Sequence, residues 1–257
     1  MDYKTIILEK KNGYAVVKFN RTTEMNAING KMRQELFEAF VSLEDDREVR
    51  SIILTGGEYV FSTGMDIKEM AALSDADVDE YFESMMKYLK KIYLCKKPVI
   101  AAVGGFALGG GFNLVVVCDL VIASESAIFC HPELKFGFNP LFHPLSQILG
   151  VTKAKEIVML GEPIGANEAL RIGLVNKVAP PERFMEKAET MAETMAKRSE
   201  RAIGELKTLC NIVPHLDKIS AIELEMSVCA KLFTRDERKY YMNEALFLEK
   251  LRKKKQK

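Results

Sequence analysis

Histidine is scarce in this chain: only His131, His143 and His215 occur among 257 residues, with no HExxH or related spacing. Neither a structural nor a catalytic zinc site is therefore expected. The cysteines, Cys95, Cys118, Cys130, Cys210 and Cys229, include no CxxC pair and leave an odd count. That pattern offers no disulfide framework and fits free thiols in a reducing compartment. An excess of charge of either sign is also missing, because the net charge is +1; nothing in it favours nucleic acid or a membrane surface. The basic residues cluster only in the terminal LRKKKQK, where a solvated chain end is the simplest reading. No apolar run approaches the length needed to cross a bilayer. The opening MDYKTIILEKKNG lacks the apolar core of a secretory leader, and a cytoplasmic location is expected.

What is present reads as an ordinary globular chain, 48% hydrophobic and 28% charged, with enough apolar residues for a sizeable core. Ile6–Lys10 and Tyr14–Phe19 are β-rich runs joined at Lys11-Asn12-Gly13, and Asn-Gly is a strong hairpin signal. Met32, Leu36, Phe40 and Leu43 fall at helical spacing within Lys31–Asp45. Ser51–Thr55, Pro98–Val103 and Cys118–Ala123 read as short buried strands. Asp77–Leu94, Thr152–Leu160 and Asn167–Ile172 read as helices. Alternation of buried strands and helices predicts an α/β arrangement of parallel character over residues 1–180. From Pro180-Pro181 the texture becomes helical, with a stripe of Phe184, Ala188, Met191 and Met195, so residues 181–257 are expected to form a helical C-terminal region.

The segment Gly104-Gly-Phe-Ala-Leu-Gly-Gly-Gly111 lies between a strand and a helix that begins near Gly110. A dinucleotide fingerprint fails because Leu114 stands where the last glycine belongs, and a P-loop fails because no Lys-Ser/Thr follows. A helix start still presents unpaired N–H groups, and glycine lets a ligand oxygen approach them; close backbone packing is an equal reading of this stretch alone. Tyr59–Met70 repeats the design after the strand SIILTGG. Two such turns aiming one N–H each at a single oxygen make an oxyanion hole.

Seven motifs in order then carry a resemblance: Met25-Asn-Ala-Ile28, Phe61-Ser-Thr-Gly-Met-Asp-Ile67, Lys97-Pro through Gly111, Cys118-Asp-Leu, His131-Pro-Glu-Leu, Glu168-Ala-x-x-x-Gly-Leu-Val175 and Ala245-x-Phe-Leu-Glu-Lys250. The chain resembles the crotonase, or enoyl-CoA hydratase/isomerase, superfamily over nearly its full length. The resemblance implies an α/β spiral of ββα units with a helical C-terminal trimerisation region, assembled as trimers or dimers of trimers. It also implies an acyl-CoA thioester substrate, with coenzyme A part of that substrate and no separate cofactor. By motif position, the N–H groups of Met65 and Gly110 would hold the thioester oxygen, while Ala27, Met65, Asp66, Ile67 and Lys68 would line the coenzyme A path. Asp66 is also read as a turn or capping residue.

Hydratases of this family carry two glutamates, and here the first position is Asn113 while the second is Glu133. Asn cannot carry a proton near neutral pH, although it can hold a water or a substrate oxygen. One carboxylate is sufficient to move a double bond, taking a proton from C2 and returning it at C4. Enoyl-CoA isomerisation with Glu133 as acid and base is therefore the first expectation. Hydration with Asn113 positioning water is the second, and thioester hydrolysis or decarboxylation the third. A catalytically silent assembly or RNA-binding member is a reading from another class. Phe138, Leu141 and Phe142 stand where glycines are common in the family and imply a reshaped acyl pocket. His143 is a candidate second acid/base, and His131, directly before Pro-Glu, is placed to hydrogen-bond Glu133; each is also readable as a structural histidine.

Overall fold

The computed structural model describes residues 2–234, 236 and 238–243. The basic tail and the Ala245–Lys250 motif lie outside them. The chain divides into two compact units, Met1–Arg198 and Ser199–Lys257.

The first unit opens with the hairpin β1 (Ile6–Lys11) and β2 (Tyr14–Phe19), followed by α1 (Gly30–Asp45). Then come β3 (Ser51–Thr55), β4 (Val60–Ser62), α2 (Ile67–Ala71) and α3 (Val78–Tyr93), and next β5 (Val99–Val103), β6 (Phe106–Leu108) and α4 (Gly110–Val116). The unit continues through β7 (Leu120–Ser124), β8 (Ile128–Cys130), α5 (Phe142–Leu160), β9 (Ile164–Gly165), α6 (Ala166–Arg171), β10 (Lys177–Ala179) and α7 (Phe184–Ala196). Three ββα repeats are evident. Each sends its first strand to a six-stranded sheet ordered β1-β2-β3-β5-β7-β10 and its second to a four-stranded sheet ordered β4-β6-β8-β9. The second unit contains α8 (Glu200–Ile212) and α9 (Lys218–Leu232).

The large sheet follows from its apolar runs. From β2 to β10 its strands are parallel, and β3 and β5 are buried at every residue, as strands covered on both faces must be. Alternate residues go to opposite faces. Ile52, Leu54, Val99, Ala101 and Val103 join the main core with α1 and α3 residues. Ile53, Ile100, Ala102 and Ile122 join Phe184, Ala188 and Ala192 of α7. This second cluster explains why the compact unit extends to Arg198 beyond the change of texture at Pro180-Pro181: α7 covers one sheet face.

Several local readings need correction. The helix expected over Thr152–Leu160 is present, but a further helical segment from Phe142 precedes it across a break at Gly150, where φ is 76°. The strand expected from Cys118 starts at Leu120, because the Cys118 N–H still closes a turn on Val115 O at 3.2 Å. The four-stranded sheet had no counterpart in the sequence reading. Its strands are two or three residues long, too short to show a period.

Candidate active site

The loop from Arg21 to Ile28 and the turn after β4 are joined backbone to backbone. Ile28 N donates to Gly64 O at 2.7 Å and Asp66 N to Ile28 O at 3.2 Å, making a parallel bridge between Ile28 and Met65. Buried Asn26 secures the loop from inside. Its Nδ2 donates to Gly56 O (3.2 Å) and Val60 O (3.0 Å), and its Oδ1 accepts from Arg21 N (3.1 Å). Arg21 Nη1 donates to Ala27 O and pairs with Asp66 Oδ2 at 3.0 Å. Ala27, Met65 and Asp66 are thus brought together, with exposed Ile67 and Lys68 beside them.

Asp66 caps α2, where its Oδ1 accepts from Lys68 N at 3.1 Å and Glu69 N at 3.4 Å, which bears out the capping reading. Burial alone would push its carboxyl upward. The Arg21 guanidinium and the two α2 N–H groups outweigh that and hold it below the usual carboxylate range. Glu69 in turn accepts from both terminal nitrogens of Arg33 at 2.9 and 3.0 Å and from Gly30 N at 3.0 Å, tying α2 to the start of α1.

The three consecutive glycines divide their work. Gly111 exists for packing, since a Cβ there would lie 2.3 Å from Ser62 O. Gly109 has φ 51°, which favours glycine, and a Cβ on it would stand 3.5 Å from Glu133 Oε1. Gly110 faces the other turn, where a Cβ would be 3.4 Å from Met65 N. Gly64 closes the arrangement with φ 96°, and a Cβ on it would stand 2.9 Å from Gly110 N. Among the described residues neither the Met65 N–H nor the Gly110 N–H has an acceptor. Two unpaired donors so close together can share one incoming oxygen.

Glu133 begins a short 3₁₀ turn after β8 and is 3% exposed. It lines a cavity of about 340 Å³ together with Thr63, Met65, Ile67, Met70, Gly109, Gly110, Phe136 and Phe138. Glu133, the Gly109-Gly110 turn and Met65 therefore line one apolar recess. Behind it lies fully buried His131, whose Nδ1 is 3.2 Å from Glu133 Oε2 and 3.3 Å from Oε1. Cys130 is close by, and burial pushes its thiol upward.

Asn113 is placed differently. Its Oδ1 accepts from Leu141 N at 3.2 Å; no partner for its amide nitrogen is present among the described residues. With Leu141 and His143 it lines a second cavity of about 460 Å³, walled by Phe82, Met85, Met86, Leu89 and Tyr93. Of the residues read as a reshaped acyl pocket, Phe138 lines the cavity with Glu133 and Leu141 the cavity with Asn113. Another cavity, about 590 Å³ near Lys11, Lys18 and Tyr59, includes none of the expected site residues. Asn26 and Arg21, which set the geometry of the loop, were not legible as site residues. Asn26 stood inside the Met25–Ile28 motif as the only signal.

Along residues 9–256 the chain matches the family described as enoyl-CoA hydratase/isomerase, and it belongs to that family. It is an enzyme of the crotonase fold, with an acyl-CoA thioester as the substrate class. Its relatives include a short-chain-enoyl-CoA hydratase of Clostridium acetobutylicum, 36% identical over 254 residues and 97% of each chain. A crotonyl-CoA hydratase of Syntrophomonas wolfei is also 36% identical over 254 residues and 97% of each chain. The crystal structure of an enoyl-CoA hydratase from Bacillus anthracis superimposes with a TM-score of 0.89 at 28% identity, over 96% of this chain and 97% of that one.

Proposed function

We propose that the enzyme moves a proton on an enoyl-CoA, converting a 3-enoyl thioester to the conjugated 2-enoyl thioester. The observation that carries this reading is that a single carboxylate, Glu133, shares its recess with the Met65 and Gly110 N–H groups. Those donors bind the thioester carbonyl oxygen. Glu133 takes the C2 proton, and the electron pair passes into a dienolate whose oxygen is more basic than the starting carbonyl. The two hydrogen bonds strengthen as that charge develops, which lowers the barrier selectively. Glu133 then returns the proton at C4, and the C3=C4 double bond has become C2=C3. The transfer as written requires only coenzyme A carried on the substrate. Ala27, Asp66, Ile67 and Lys68 form the edge along which the coenzyme enters, and Phe138 closes the recess around C3 and C4.

Hydration is the second reading, supported by the names of the relatives and by the unpartnered amide nitrogen of Asn113, which can donate to a water or substrate oxygen. It requires Glu133 alone to manage both protons, since Asn113 cannot. The two readings separate when matched 3-enoyl-CoA and 2-enoyl-CoA are offered in deuterated water. Isomerisation gives ultraviolet conjugation from the 3-enoyl substrate without the mass of an added water. Water addition to the 2-enoyl substrate instead establishes hydration. Under either reading Glu133→Gln lowers kcat by about 10²- to 10⁴-fold, the usual contribution of a positioned acid/base. An unaffected rate in that variant rejects Glu133 as the proton carrier. The homo-oligomer, a trimer or a pair of trimers, belongs to the same proposal, as does a cytoplasmic location without nucleic-acid or membrane partners. Among the described residues no helix is long and apolar enough to cross a membrane.

A further inference from the structure

We infer that His131 is a positioning residue for Glu133. Its Nδ1–H donates to the carboxylate, and its stack on Phe112 ties the proton carrier to the helix that supplies the Gly110 N–H. This rests on the reading of Glu133 as the proton carrier and adds the device that aims it.

Three contacts converge on the imidazole. Nδ1 stands almost equally far from the two Glu133 oxygens, 3.2 and 3.3 Å, so it faces the carboxylate group as a whole. The ring lies 4.3 Å from the Phe112 ring at 21° between planes. Phe112 is itself fully buried, two residues after Gly110, and its ring also meets Phe129 at 5.6 Å. On the far side, Nε2 is buried and has no hydrogen-bond partner among the described residues.

The orphaned nitrogen decides the tautomer. With the proton on Nδ1, the ring donates to an ionised carboxylate, and only a bare nitrogen lone pair remains without a partner. With the proton on Nε2, a buried N–H is orphaned and Glu133 loses its donor, or must itself be protonated to bond Nδ1. Buried unpaired N–H groups are the rarer defect in folded proteins. Hydrogen on Nδ1 leaves the least unsatisfied.

The chemical consequence is directional. The Nδ1–H bond holds the Glu133 carboxylate in the orientation from which it takes the C2 proton and returns it at C4. One Glu133 oxygen also faces the Gly109 turn, where the missing side chain leaves room. The carboxylate is thereby fixed relative to both the turn and the α4 donor. A histidine that merely filled space would need only its volume and its stack.

The test compares two replacements, each assayed as the purified full chain on 3-enoyl-CoA and 2-enoyl-CoA. His131→Leu keeps apolar bulk and removes the donor. His131→Asn places an amide N–H at the same reach as Nδ1. The leucine variant is expected to lose about 10- to 100-fold in kcat with KM within about twofold, the scale of one hydrogen bond to a charged group. The asparagine variant is expected to recover to within about fivefold of the wild type. Circular dichroism melting accompanies both. If leucine does not fold, His131→Gln replaces it: glutamine carries its amide one bond further out, so asparagine should outperform it. A wild-type kcat in the leucine variant overturns the inference, as does equal impairment of asparagine and leucine or of asparagine and glutamine. Glu133→Gln separates the levels of failure. An inactive Glu133→Gln beside a fully active His131→Leu rejects the positioning role alone, whereas a fully active Glu133→Gln, or a wild type inert on both thioesters, removes the reading beneath it as well.

Discussion

Gly64→Ala is the most informative single perturbation of this site, because it separates backbone strain from damage to the two N–H donors. Gly64 has φ 96°, and a Cβ there would lie 2.8 Å from Leu108 O and 2.9 Å from Gly110 N. Both neighbours are backbone atoms, so neither can swing away, and the Phe61–Ile67 turn must move from the Gly109-Gly110 turn. Strain from a left-handed alanine costs about 1–2 kcal/mol of stability. Separating the turns adds a catalytic loss, since removing one such donor raises the barrier by about 3 kcal/mol, or roughly 150-fold in rate at 1.36 kcal/mol per tenfold. Gly173→Ala is the control. Gly173 has φ 84° and nothing within 4 Å of a Cβ, so it carries the same strain without crowding. Denaturant unfolding of both variants should report similar losses of about 1–2 kcal/mol, with a larger loss in Gly64→Ala if crowding persists. Steady-state assays should show a fall of about 10²-fold or more in kcat for Gly64→Ala only. A folded Gly64→Ala enzyme with the turnover of Gly173→Ala would refute the placement of the oxygen between these turns.

Other consequences can be checked independently. Asn113→Glu restores a second carboxylate and should raise water addition to a 2-enoyl-CoA at least about tenfold, read as product mass; an unchanged rate means that this position does not reach the reacting carbons. Glu35, 1% exposed, accepts from Lys4 N, Thr5 N and the Thr5 hydroxyl, the last two at 2.7 and 2.6 Å. Burial would raise its carboxyl, but the Thr5 hydroxyl and those N–H groups outweigh burial and lower it. The stabilisation is therefore complete above the unfolded value of about 4.3 and is lost as pH falls through the lower folded value. Glu35→Gln should cost about 1–3 kcal/mol near neutrality and flatten the acid limb of the melting temperature against pH. In the second unit Ile222 and Met226 are 61% and 57% exposed on α9. Sedimentation should give a trimer or a dimer of trimers of the 29.0 kDa chain, and a stable monomer would contradict that assembly.

Much of this molecule was legible in the amino-acid sequence because local rules act over short distances. The Asn12-Gly13 hairpin formed where turn chemistry placed it, and the buried runs of β3 and β5 became parallel strands. Two glycine turns after strands stood out, as did Glu133 alone where two carboxylates are common. Nothing local revealed the four-stranded sheet, whose strands of two or three residues take their pairing from neighbours in the spiral. Equally hidden were bonds that join distant segments: Asn26 to Gly56 and Val60, and buried Lys97, whose Nζ donates to Leu43 O at 2.7 Å. The three glycines looked alike in sequence, yet one packs, one turns and one faces Met65. Only the fold showed that Asn113 lines a cavity with Leu141 and His143 while Glu133 lines one with Met65 and Gly110, and it turned the His131 ring nitrogen toward Glu133. Residue type and spacing determined which chemistry was available; direction and distance between side chains far apart in the chain came only from closing the spiral and packing its core.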